Sequence, residues 1–191
     1  ERRGAKGRTQ EIERLVARSL RAAVDLEELG PIALNVDCDI LNADGGTRCA
    51  SITAANLALR LGVRRLIAAG ICLPQNMRPT EEQRRSGWSA PVLSGDEKKA
   101  HEMRVMPHDV AAISVGLIDG KSYLDLDYNL DSNADVDMNV VKVSDGSFVE
   151  VQGTGEEATY QREELDALLD MADIGFSSLF EMQKSILDGQ E

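Results

Sequence analysis

Histidine and cysteine, the residues that most often carry nucleophilic or transition-metal chemistry, are scarce: two histidines and three cysteines in 191 residues. His101 and His108 fall in or beside one irregular stretch and have no evident partner, so no Ser-His-Asp or Cys-His constellation is legible. Cys38, Cys49 and Cys72 lack any paired metal spacing and read as reduced packing thiols of a cytosolic protein. Long apolar runs are missing as well. None approaches the roughly 20 residues needed to span a bilayer, and the polar, basic first residues lack the apolar core of a signal peptide. Internal repeats and low-complexity tracts are absent. What remains is a globular chain of one domain, with ample length for a core.

Positive charge is the other shortage. A formal net charge of −12 argues against a surface coated for nucleic acid. The cations crowd the start, at Arg2, Arg3, Lys6, Arg8, Arg14, Arg18 and Arg21, so a local basic site stays open. The chain opens at Glu1 and enters helical sequence with no strand before it, which leads us to expect an upstream segment.

Apolar periodicity predicts a helix over residues 9–29, closed by Gly30-Pro31. Strict alternation over 31–41 predicts a half-buried strand, with Ile32, Leu34, Val36, Cys38 and Ile40 on one face. Asp37 and Asp39 lie on its other face, where a solvated role outweighs a metal role. A second, small-residue helix is expected over 49–69. Residues 71–106 are punctuated by proline and charge and read as an insertion or mobile loop, with Trp88 and His101 solvated. Strands are then expected over 110–118, 122–128, 135–143 and 148–151. Asp119-Gly120 forms one hairpin and Ser144-Asp145-Gly146-Ser147 another. The segment Gly153-Thr154-Gly155 should break the sheet, and 163–187 should be a long amphipathic helix. This order predicts an α+β or α/β sandwich, helices packed on a mixed sheet, of which we take α+β.

Two stretches carry chemistry. In Asn42-Ala43-Asp44-Gly45-Gly46-Thr47-Arg48, adjacent glycines let backbone N–H groups approach a ligand at a helix N-terminus, and Thr47 and Arg48 add a hydroxyl and a planar cation. That combination suits a phosphate; as a plain strand-to-helix turn it would use Thr47 as N-cap. Asp125, Asp127, Asp131, Asp135 and Asp137 crowd thirteen residues. Such density calls for solvation, pairing or a hard cation such as Mg²⁺ or Mn²⁺. On spacing alone a metal site and a solvated hairpin face are equally open, and EF-hand spacing is absent. A phosphate cradle beside metal-binding carboxylates points to phosphoryl transfer at a phosphodiester.

Four motifs then occur in one order: Gly7-Arg8-Thr9-Gln10-Glu11-Ile12, Asp37-Cys38-Asp39-Ile40-Leu41-Asn42-Ala43-Asp44-Gly45-Gly46-Thr47-Arg48, Leu124-Asp125-Leu126-Asp127-Tyr128 and Glu150-Val151-Gln152-Gly153-Thr154. In these the chain resembles the ribonuclease PH family of phosphate-dependent 3′-to-5′ exoribonucleases, relatives of polynucleotide phosphorylase and the exosome ring subunits. The resemblance covers nearly everything outside 71–106. It implies a ribosomal-protein-S5-domain-2-like fold, a homohexameric ring built as a trimer of dimers, and cytoplasmic trimming of tRNA precursors and other RNA. It implies that Arg8 is an active-site arginine near the phosphate and the RNA end. Gly46, Thr47 and Arg48 would bind inorganic phosphate, and Asp131 and Asp137 would be the catalytic carboxylates holding Mg²⁺ or Mn²⁺. Either of the two is open as the group that protonates the departing 3′-oxygen. Arg2 and Arg3 match the tail of a basic RNA-contacting loop, whose strand-rich N-terminal segment this chain lacks. The alternative is a catalytically quiet ring subunit or RNA-binding scaffold.

Overall fold

The computed structural model describes residues 7–155 and 158–190. Its central strand is β1 (Val110–Ile118), buried along nearly its whole length. It pairs antiparallel with β2 (Lys121–Leu124) on one side and with β3 (Val136–Val143) on the other; β3 pairs antiparallel with β4 (Phe148–Gly155). The order is β2-β1-β3-β4. Because side chains alternate across a strand, β1 feeds two cores. Ala111, Ile113, Val115 and Leu117 meet Leu168, Ala172 and Phe176 of the long helix α7 (Arg162–Asp188). Val110 and Ala112 instead meet Ile52, Ala55, Leu59 and Val63 of helix α3 (Thr47–Ala68). The α+β class is borne out, and among the described residues the sheet is antiparallel throughout.

Polar anchors fix α3 on β1. Thr53 Oγ1 accepts from Ala112 N (3.1 Å), and Asn56 Oδ1 accepts from Val110 N (3.2 Å). Arg60, only 4% exposed, donates to Asp109, to Glu102 and to the Met106 carbonyl. A buried guanidinium is tolerated when its donors are met this fully. Gln183 of α7 donates to the carbonyls of both Thr53 and Val110, joining the two helical layers through the sheet.

Several expected elements differ. The first helix divides into α1 (Gly7–Ala22) and α2 (Leu26–Leu29). Asp25 causes the break, since its side chain accepts from Glu27 N and Glu28 N and starts a new N-terminus. Residues 32–40 form no strand. Ile32 and Leu34 are half-buried, but no ladder partner lies beside this stretch among the described residues. Strand β2 stops at Leu124 because Asp125 takes a left-handed conformation (φ 55°). The short helix α6 (Tyr128–Asp131) follows, capped by Asp127. Strand β4 continues through Gly153-Thr154-Gly155 instead of ending before it.

Residues 71–106 carry helices and contribute to the core, although many of their side chains are exposed. Helices α4 (Glu81–Arg85) and α5 (Gly95–Val105) each begin with a complete capping box, Thr80 with Gln83 and Ser94 with Glu97. Leu73, Leu93, Val105 and Met106 join the α3 core, and Trp88 packs against it half-buried. His101 is fully buried, with Nε2 3.6 Å from Cys72 Sγ and Nδ1 3.6 Å from Glu28 Oε2. The helical pattern was hidden because the buried face of α5 is largely polar, built from His101 and Glu102 as well as Val105. No helix of the described residues is long and apolar enough to cross a membrane.

Burial is the main force pushing the His101 imidazole below its ordinary value of 6.5; the cations Arg104 and Arg78 add to it and Glu28 opposes it. Histidine with a depressed folded pKa is neutral in the fold while the unfolded chain takes up a proton, so acidification through about pH 6.5 favours unfolding. The melting temperature should therefore fall between pH 7.5 and 5.5, and His101→Gln should flatten that slope. An unchanged slope in the variant would exclude His101 as its source.

Candidate active site at the α3 N-terminus

The glycine loop folds as a left-handed turn onto α3. Gly46, not Thr47, is the N-cap, at φ 69°, and no side chain caps the helix. The first-turn N–H groups of α3 are thus left to a ligand or solvent. The loop is stitched to the 125–128 turn. Asp44 Oδ1 accepts from Gly45 N and from Tyr128 N, while Ser114 Oγ accepts from Leu126 N. A β-carbon at Gly45 would lie 1.9 Å from the Leu126 carbonyl oxygen.

Beneath this turn the α3-facing side of the sheet changes from apolar to polar. Register aligns Ser114 with Asn139 and Gln152, and Gly116 with Asp137 and Thr154. Cys49, one residue past Arg48, is buried and donates from Sγ to Asn139 Oδ1 at 3.1 Å. Its thiol is pushed up to about 12, mainly by burial and then by the Asp137 charge; Arg48 opposes that shift and Asp125 adds to it. Cys49 is therefore an inert floor thiol, with one cation and two carboxylates within electrostatic reach.

That cation, Arg48, has an unusual environment. Its Nη2 reaches Glu11 Oε2 of α1 at 3.3 Å, and Glu11 Oε1 accepts from Gln152 Nε2 at 3.4 Å. Arg48 Nε is buried with no hydrogen-bond partner among the described residues. A buried, unpaired charged donor is costly, which makes this nitrogen the clearest mark of an anion site.

The expected residues divide accordingly. Gly46, Thr47, Arg48 and Asp137 converge at the α3 N-terminus. Arg8 is exposed on the opening turn of α1, one turn before Glu11. Asp131 is exposed at the end of α6 and is not among the charges that act on Cys49, whereas Asp125 is. Asp127 caps α6, and Asp135 accepts from Asp119 N at 2.9 Å, so both have structural work. Asp37 and Asp39 are exposed. No three His, Cys, Asp or Glu side chains among the described residues form a metal-ligand group. The nearby donors are carboxylate oxygens, the type that suits a hard ion keeping several waters, such as Mg²⁺. Arg2 and Arg3 lie outside the described residues. Sequence reasoning missed Glu11 and Gln152, although both stand inside the quoted motifs. It also passed over Ser114 and Asn139, whose signal was a polar residue at a core position of a strand.

Two family models match in order: domain 1 of the 3′ exoribonuclease family over residues 1–62 and domain 2 over 108–175, together more than half of the chain. The chain belongs to the 3′ exoribonuclease (RNase PH) family. It is 44% identical over 178 residues to ribonuclease PH of Synechococcus sp. (strain CC9605), an alignment covering 93% of this chain and 60% of that one. To ribonuclease PH of Corynebacterium diphtheriae it is 48% identical over 183 residues, covering 96% and 64%. To that of Corynebacterium efficiens it is 47% identical over 182 residues, covering 95% and 62%. The chain thus spans a little under two thirds of the length of these relatives. Among solved structures, rice (Oryza sativa) Rrp46 superposes at TM-score 0.59 and 11% identity over 97% of this chain and 68% of that one. A chain of the Archaeoglobus fulgidus exosome with RNA bound to the active site gives TM-score 0.50 and 18% identity over 90% and 59%. At these identities the two likenesses establish the family fold.

The tight loop generates a mutational contrast. Gly45→Ala drives a side chain into backbone, so it should cost roughly 1–3 kcal/mol or more. Gly46→Ala meets Ser114 Oγ at 3.3 Å and pays mainly for the left-handed conformation, about 1–2 kcal/mol. Urea denaturation measures both. Gly45→Ala as stable as wild type would contradict the stitched loop.

Proposed function

We propose that this protein is a phosphate-dependent 3′-to-5′ exoribonuclease that releases nucleoside 5′-diphosphates and trims the 3′ ends of tRNA precursors and other RNA in the cytoplasm. One observation carries the reading: the buried Arg48 Nε, without a partner among the described residues, beside a helix N-terminus that no side chain caps. Family membership supplies the reaction class.

Inorganic phosphate binds against the Arg48 guanidinium, the Thr47 hydroxyl and the N–H groups around Gly46. One of its oxygens attacks the last phosphodiester phosphorus of an RNA. A new P–O bond forms to phosphate, the bond to the 3′-oxygen of the preceding nucleotide breaks, and that oxygen leaves as a hydroxyl after protonation. The nucleophile is already anionic, so charge neutralisation and alignment are the main tasks. Arg48 and the α3 N–H groups carry the first. Arg8, one turn from Glu11 on α1, is assigned to the RNA end and the phosphate. Asp137 and Asp131 would hold Mg²⁺ or Mn²⁺, with Asp125 beside the loop as a further carboxylate. When bound, the ion neutralises charge building on the phosphoryl oxygens. A catalytically quiet scaffold has no use for a guanidinium whose Nε is buried and lacks a partner among the described residues. Assembly into a homohexameric ring, a trimer of dimers, and RNA contact through Arg2 and Arg3 belong to the same reading.

Arg48→Ala should raise the KM for phosphate about tenfold or more, the scale of a lost charge-assisted hydrogen bond, while changing the KM for RNA far less. Initial rates across a phosphate titration at fixed RNA, and the reverse, measure the two. Equal loss of both would remove Arg48 from the phosphate site.

A further inference from the structure

We infer that Glu11 is a positioning residue that sets the Arg48 guanidinium for the incoming phosphate, with Gln152 as its anchor. The inference rests on the phosphate reading of the α3 N-terminus. Arginine is long and rotamer-rich, so a guanidinium that must present one face to an anion needs an external hold. Among the described residues Glu11 provides that hold: its Oε2 takes Arg48 Nη2 at 3.3 Å. Glu11 would be a loose hold by itself, because its side chain is 42% exposed. Its second oxygen, however, accepts from Gln152 Nε2 at 3.4 Å. Gln152 is registered on β4 opposite Asn139 of β3. Asn139 in turn accepts from Cys49, the neighbour of Arg48 on α3.

A closed circuit results, running from α3 through α1, β4 and β3 back to α3. Its outcome is visible in the structure, where Nη2 is spoken for and Nε is left buried and without a partner among the described residues. Glu11 therefore leaves donors of Arg48 free for phosphate while fixing where they point.

The competing role for Glu11 is repulsion. A carboxylate beside an anion site also opposes the anion, and its removal would then tighten phosphate. The two roles predict opposite signs. The test uses the full-length protein with Glu11→Ala, Glu11→Gln and Gln152→Ala, and reads phosphate binding by calorimetry together with phosphorolysis kinetics. Positioning predicts that Glu11→Ala weakens phosphate and raises its KM about tenfold, on the scale of a hydrogen bond to a charged group, with a smaller change in kcat. Glu11→Gln keeps an acceptor for Arg48 and should restore binding to within about threefold, a rescue that loss of charge alone would not give. Gln152→Ala should have the same sign as Glu11→Ala, and the double variant should be no worse than Glu11→Ala, because both act through one contact. Glu11→Ala binding phosphate as well as or more tightly than wild type would overturn the proposal and leave the phosphorolytic reading intact. Wild-type protein that neither binds phosphate nor releases diphosphates would overturn both.

Discussion

The structure depends on how closely the 44–46 backbone approaches the 125–128 turn. A β-carbon at Gly45 would stand 1.9 Å from the Leu126 carbonyl oxygen, so glycine at 45 is the condition for the contact, and Gly46 supplies the left-handed turn that follows it. That contact brings the open N-terminus of α3 against the polar end of the sheet. It also explains why a strand as apolar as β1 carries Ser114, whose hydroxyl holds the Leu126 amide. Moving the loop outward would separate Thr47 and Arg48 from Asp137 and leave the site in pieces.

Electrostatics then explains how an acidic chain can hold an anion. The net charge of −12 is a property of the whole surface, whereas the proposed phosphate site is built from short-range donors. These are helix N–H groups, one half-buried guanidinium and a hydroxyl, all of which act over a few ångströms. Carboxylates stand close by, at Asp125, Asp137 and Glu11. Glu11 is engaged by Arg48, and Asp137 belongs to the carboxylate pair proposed for a divalent ion. A compact arrangement of opposite charges of this kind suits phosphoryl chemistry, where negative charge must be both bound and neutralised.

Much of this was legible in the residues. The strands over 110–118 and 135–143, both hairpin turns and the long last helix follow from period-two and period-3.6 patterning. The glycine loop announced itself by spacing. Three features were not legible, each for a physical reason. Residues 32–40 alternate as a strand does, but alternation reports half-burial, and a strand also needs a ladder partner. Helix α5 buries His101 and Glu102 through specific polar contacts, so apolar periodicity passes over it. The Glu11–Arg48–Gln152 circuit joins residues far apart in sequence, and only the fold brings them together. Among the carboxylates, density drew notice to five aspartates, yet capping by Asp127 and turn support by Asp135 are visible only from their backbone partners.

The central claim is that phosphate, held at the α3 N-terminus, is the nucleophile. The most direct measurement follows ³²P-labelled orthophosphate while the protein degrades a 3′-tailed RNA in Mg²⁺. The account predicts that label enters released nucleoside diphosphates and that release stops when phosphate is withheld. Unlabelled nucleoside monophosphates, formed at the same rate without phosphate, would contradict it.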